Sequence, residues 1–214
     1  MSLPVLLLLL GFLFVVLFGA LGWLRREGLS GRFAVEATVI TVVASGLTAL
    51  TNFPTHPVAF LFVLYLLTMR VRLMVDVGNL LAQRGQFAQA DRLYALAMRL
   101  WPDSAGRLVV QVNQGVSRLQ QGALDEAIDI FKSVLQNAGQ GFLGIKYEAA
   151  AHYNLGVAYR RKGTEAPATM EFNAVLDTWP VSEYARRARY ALEQTRHKDK
   201  PAAPPQDTSG GDRP

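Results

Sequence analysis

The side chains able to do chemistry are few and scattered in this 214-residue chain. Its three histidines are His56, His152 and His197, and none has a metal-ligating residue at i+3 or i+4. With no cysteine, thiolate catalysis, disulfides and Cys-type zinc sites are excluded. No G-x-x-x-x-G-K-[ST], G-x-G-x-x-G or G-x-S-x-G occurs, so phosphate cradles and nucleophile elbows have no candidate. The carboxylates are dispersed along polar stretches. Catalytic, cofactor-binding and metal sites are therefore not expected, nor a small-molecule substrate, and the chain reads as a non-enzyme. The densest charge is Arg160, Arg161 and Lys162, then Arg186, Arg187 and Arg189. These make either a solvated helix face or a basic docking surface for lipid headgroups or an acidic partner. Beyond Met69 lie 19 Lys/Arg and 15 Asp/Glu, a surplus too mild and too spread for a nucleic-acid binder.

The elements that would position these residues fall into two solvents. From Met1 to Met69 the only charged side chains are Arg25, Arg26, Glu27, Arg32 and Glu36. Residues 3–24 form an uncharged apolar run. At ~1.5 Å per residue, ~20 residues cross a ~30 Å hydrocarbon core. A signal peptide has a basic segment before its apolar run; here Arg25 and Arg26 come after it, which favours an uncleaved anchor over a cleaved leader. A second span covers 34–50, with Glu36 at its edge and Ala44, Ser45 and Gly46 small enough for close helix contact. The turn Thr51–Pro57 comes next, and Pro57 suits the first position of a helix. A third apolar stretch, 54–70, is marginal in length, and a shallow re-entrant hairpin is the alternative. Arg25, Arg26 and Arg32 place the first loop in the cytoplasm, and Arg70 and Arg72 do the same for the end of the third span. No Gly or Pro interrupts Val58–Val77, so one helix is expected from Pro57 to about Gln83. It would hold the C-terminal two-thirds of the chain rigidly at the bilayer.

Past Arg70 the pattern becomes helical and repeats. Turn glycines stand at Gly85, Gly122 and Gly163. Five residues after each is an alanine (Ala90, Ala127, Ala168), and four further on an aromatic (Tyr94, Phe131, Phe172). Ala97, Val134 and Val175 come three residues later, and Pro102 and Pro180 close the first and third units. Seven residues before each turn glycine stands another, Gly78, Gly115 and Gly156. The turn glycine supplies a positive-φ position, the earlier one permits close approach of the paired helices, and the aromatic fills the gap to the next unit. In this pattern the chain resembles the tetratricopeptide-repeat (TPR) family, whose helix–turn–helix unit is ~34 residues long. The resemblance covers three units, near 71–104, 108–137 and 149–180. A glycine-rich joint at 136–145 precedes the third, whose first helix is extended. Residues 181–196 form a polar-faced cap. The tail 197–214, rich in Pro, Gly, Asp and Ser, cannot bury a core and is expected to be disordered. The expected fold is all-α: an anchor over 1–70, then a short α-solenoid over 71–196.

The resemblance also implies a binding groove lined by the first helix of each unit. Those positions are Arg72, Val75, Asn79, Ala82 and Gln83 in unit one. In unit two they are Val109, Val112, Asn113, Val116 and Gln120, and in unit three Tyr153, Asn154, Val157, Arg160 and Arg161. Asn79 and Asn113 match the asparagines of the family's carboxylate clamp, but Val75, Ala150 and Asn154 occupy the places of its basic residues. A chaperone's C-terminal carboxylate is therefore not the expected ligand. Valines with asparagines suit an apolar peptide or a helix laid in the groove, or else the valines pack against neighbouring helices. His152, at a position where the family often has tryptophan, is expected to be packed and hydrogen-bonded. The implied function is a scaffold in the cell (inner) membrane that recruits partner proteins. The alternative is an accessory subunit of a larger membrane complex.

Overall fold

A computed structural model describes residues 2–24, 31–51, 54–141 and 143–198. These form ten helices and no strand: α1 (Leu3–Leu24), α2 (Gly31–Thr51), α3 (Pro57–Thr68), α4 (Arg70–Gln83), α5 (Phe87–Arg99), α6 (Ser104–Gln121), α7 (Leu124–Gly141), α8 (Ile145–Arg161), α9 (Glu165–Thr178) and α10 (Glu183–Lys198). Arg25, Arg26 and Glu27 of the first loop, Asn52 and Phe53 of the turn, Phe142 of the joint and the tail beyond Lys198 lie outside the described residues.

The apolar front folds as a small helical bundle. Leu7 and Phe14 of α1, Ala37 of α2, and Phe60 and Leu64 of α3 bury its centre. The close approach comes at Gly11, where an added Cβ would fall 2.2 Å from Thr41 Oγ1. The small residues Ala44 and Ser45 also face inward: Ala44 packs on the core, and Ser45 Oγ donates to the Pro4 carbonyl at 2.9 Å. Gly46, expected to share this role, meets nothing within 4 Å. The outer surface of α1 and α2 is the reverse of a soluble protein's, with Phe12, Leu13, Val39, Val43 and Leu47 exposed. At 22 and 21 residues, both helices are long and apolar enough to cross a membrane.

The third segment departs from expectation. α3 has only 12 residues, about 18 Å at the α-helical rise, well short of a hydrocarbon core. The single helix expected from Pro57 to Gln83 is instead broken at Met69, where α3 and α4 meet at a bend of 72°. Neither Gly nor Pro is needed, because the Arg70 side chain takes over one of the carbonyls freed at the break. Arg70 Nη1 donates to the Leu67 carbonyl at 2.6 Å. The same Arg70 is pulled sideways by Glu36 of α2. A tertiary ion pair thus overrides an uninterrupted helical sequence, as tertiary context routinely overrides propensity.

From α4 onward three helical hairpins stack: α4–α5, α6–α7 and α8–α9, closed by α10. The turn glycines Gly85, Gly122 and Gly163 have φ of 74°, 81° and 83°, the left-handed region where a side chain is strained. Gly78, Gly115 and Gly156 each carry the aromatic of their own hairpin. An added Cβ would meet Tyr94, Phe131 and Phe172 at 2.6, 2.7 and 2.8 Å. The aromatics therefore fill the space inside their own unit first, and their clusters then continue into the next. Phe131 shares a core with Ala151, Leu155 and Ala158 of α8.

Boundaries shift where caps decide them. α6 starts at Ser104, ahead of Leu108, because Asp103 caps it by accepting from the Gly106 N–H at 2.7 Å. α7 continues to Gly141, so most of the expected joint is helical and the extended third unit begins at Ile145. Pro167 falls in the first turn of α9, where its missing N–H breaks no bond.

Candidate interaction face

The first helices of the hairpins are successive neighbours, α4 beside α6, α6 beside α8 and α8 beside α10. The expected groove residues lie on α4, α6 and α8, but they are not equivalent. Val75 and Val112 are each 3% exposed and belong to the hydrophobic cores. For these two the packing reading holds, and Ala82 is likewise buried. Val109, Val116 and Val157 are half-buried, with their outer surfaces open along the face. Gln83, Gln120 and Arg161 are exposed.

The asparagines are largely committed within the fold. Asn79 Oδ1 accepts from the Tyr94 hydroxyl at 2.8 Å. Asn113 Nδ2 donates to the Val109 carbonyl and Asn154 Nδ2 to the Ala150 carbonyl, both at 2.8 Å. Burial around Tyr94 pushes its phenol up to about 12, so it stays a neutral donor to Asn79. His152 is packed and bonded as expected, its Nδ1 lying 2.7 Å from Glu171 Oε2 across the third hairpin. Among the described residues no cluster of His, Asp and Glu could hold a metal ion.

The remaining candidates gather at the two ends of the face. At the far end the Tyr153 ring stands 5.9 Å from Phe172 and 5.8 Å from Tyr184, and the Arg160 guanidinium lies 5.6 Å over Phe172. Tyr153 and Arg160 border a shallow recess of about 460 Å³ with Arg186, Arg187 and Tyr190 of α10. The two basic groups noted in the sequence thus meet, and Arg187 is paired to Glu183. At the near end Arg72, Val75 and Val109 join Phe33, Trp101 and Tyr147 around a cavity of about 130 Å³.

Sequence reasoning missed the contacts that hold that near end together. Glu36 of α2 accepts from Arg70 Nη1 at 2.8 Å and Nη2 at 3.2 Å, and from Arg32 Nε at 2.7 Å. Arg70 Nε also donates to the Leu100 carbonyl at 3.2 Å, after α5. One guanidinium therefore ties α2, the α3–α4 bend and the α5–α6 loop. The signal was a lone carboxylate in an apolar segment, which needs a partner when removed from water.

Stacked helical hairpins with a glycine under each aromatic define a helix–turn–helix α-solenoid. Residues 70–140 match the family described as Tetratricopeptide repeat, so the α4–α7 part of the solenoid is built of tetratricopeptide repeats. The matched segment covers α4 to α7, and the α8–α9 hairpin repeats the same glycine–aromatic geometry. No curated protein and no solved structure shows significant similarity to the chain. Repeats of this family point to a role in protein–protein interaction.

Proposed function

We propose that this chain is a scaffold of the cell (inner) membrane that presents its repeat face to partner proteins on the cytoplasmic side. The observation that carries this reading is the Arg70 junction. By bonding Glu36 of α2 and Leu100 after α5, it fixes the solenoid against the charged end of the apolar bundle. A repeat face held in this way stands at a set height and angle over the bilayer. A flexible tether would leave that geometry undefined. The orientation is supported by Arg32 and Arg70 lying at the same end of the bundle, because Lys and Arg collect on the cytoplasmic side. The occupant proposed for the face is an apolar or helical peptide, received by Val109, Val116, Tyr153 and Val157 and oriented by Arg160.

Co-purification from membranes in mild detergent tests the scaffold. Val116→Asp with Arg160→Glu is expected to lose the proteins captured by the unaltered chain, while circular dichroism shows an unchanged fold. An identical set of captured proteins in a folded variant would reject groove binding. Capture in fixed stoichiometry, insensitive to salt, would assign the chain as an accessory subunit instead. The absence of native cysteine allows a separate test of topology. A single Gln120→Cys should react with an impermeant maleimide only after the membrane is opened.

A further inference from the structure

We propose that the crevice between α2, α3 and the α5–α6 loop binds an anionic phospholipid, with Arg32 and Arg99 at its phosphate and Trp101 beside its upper acyl chain. The proposal rests on the membrane-anchored reading above and adds a specific lipid contact to it. The crevice, of about 610 Å³, has an apolar wall of Val35, Val39 and Ile40 on α2 and Leu67 on α3. Its mouth carries Arg32, Arg70, Arg99 and Trp101. Val35 and Val39 lie one helical turn apart on the outward surface of α2, so the wall is continuous with the exposed apolar surface of the bundle.

Two independent features point to a lipid. The first is charge. Three arginines line the crevice against one lining carboxylate, Glu36, which is engaged by Arg70 and Arg32, and Asp103 adds a second negative charge near Arg70. Arg99 has no carboxylate partner among the described residues. Guanidinium groups do not deprotonate and match phosphate oxygens in a fork, so the described residues at the mouth keep a net positive charge suited to phosphate. The second is Trp101. Its φ of 51° is a left-handed conformation rare for a bulky residue. Trp101 is 79% exposed, a poor arrangement for the largest apolar side chain in water. The loop is held in that shape from both sides, by Arg70 on the Leu100 carbonyl and by Asp103 capping α6. Strain of this kind persists where the surroundings over-determine it, often at sites that clamp a ligand. A tryptophan held out beside an apolar wall and under arginines has the placement of an interfacial anchor.

Quenching of tryptophan fluorescence by lipids brominated on their acyl chains tests this in the full chain, reconstituted in phosphatidylcholine nanodiscs. Trp23→Phe with Trp179→Phe leaves Trp101 as the reporter, and Trp101→Phe with Trp179→Phe leaves Trp23 as the anchor control. At equal minor fractions, brominated phosphatidylglycerol should quench Trp101 several-fold more than brominated phosphatidylcholine, since each cation near a surface enriches an anionic lipid roughly fivefold. Adding Arg32→Gln and Arg99→Gln should bring the two lipids to equality. Equal quenching by both lipids in the unaltered site, or none, while Trp23 is quenched, overturns the lipid site and leaves the anchor standing. An unquenched Trp23 overturns the anchor and the lipid site together. Inorganic phosphate erasing the preference, where chloride of equal ionic strength does not, would assign the arginines to free phosphate and overturn the lipid.

Discussion

Gly115→Ala isolates the contact on which each hairpin is built. In an exposed helix the change stabilises, because glycine is ~1 kcal/mol poorer than alanine in a helix interior. Here the new Cβ would lie 2.7, 2.8 and 3.1 Å from Cε1, Cζ and Cδ1 of Phe131. That ring is fully buried in a core shared with α8, so it cannot yield without moving its neighbours. Overpacking of such a core costs about 1–3 kcal/mol, so after the ~1 kcal/mol helix gain the net effect is a loss of about 0–2 kcal/mol. Phe131→Leu removes the outer ring atoms. In that background the same Gly115→Ala should stabilise by up to ~1 kcal/mol, since the helix preference is no longer opposed. The expected coupling equals the overpacking cost, about 1–3 kcal/mol, within the range for residues in contact. The assay is denaturant unfolding of the full chain in detergent micelles, monitored by circular dichroism, with Gly115→Ala compared in the two backgrounds under the same conditions. An effect of the same sign and size in both backgrounds would refute the claim that this glycine exists to seat the ring.

Three further outcomes can be read by the same unfolding assay. Asp103→Ala removes the oxygen that caps α6 through the Gly106 N–H and should lower stability by ~1 kcal/mol, with Asp103→Asn losing much less. Gly163→Ala forces a side chain onto a φ of 83° and should lose at least ~1 kcal/mol, whereas Gly163→Asn, tolerant of that region, should lose less. Tyr94 gives an alkaline signature. Its folded-state value of about 12 lies above the ~10 of an unfolded tyrosine, so its contribution is complete below pH ~10. That contribution declines by up to ~1.4 kcal/mol per pH unit as pH rises towards about 12, and Tyr94→Phe should flatten the decline.

Much of the repeat architecture was legible because its determinants are local and recur. A glycine at positive φ, an alanine five residues on and an aromatic four beyond it describe one hairpin completely. The face was legible only as a set of positions. Sequence spacing places Val75 and Val112 on the same helix side as Val109 and Val116. Whether a given valine is covered depends on how α4, α6 and α8 are rotated and spaced, which no single repeat encodes. The expected straight helix through Met69 failed for a related reason. Helical periodicity reports the chain's local preference, and the bend is imposed by Glu36, 34 residues away from Arg70.

That long-range pair has a consequence for how the two halves depend on each other. α3 is too short to cross a bilayer by itself, and an unbroken helix would carry the solenoid along the direction of α3. The bend turns α4 by 72° and lets the solenoid lie over the end of the bundle. It is supported by Arg70, which satisfies the released Leu67 carbonyl; the charge of Arg70 is met by Glu36, and its Nε holds the α5–α6 loop. A part-buried guanidinium of this kind loses on all three sides when one partner goes, since an unpaired charge held away from water is strongly unfavourable. The orientation of the repeat face is therefore set at Arg70, outside the repeats' own consensus positions. A change at Glu36 within the apolar helices should reorient the face without touching any residue on it.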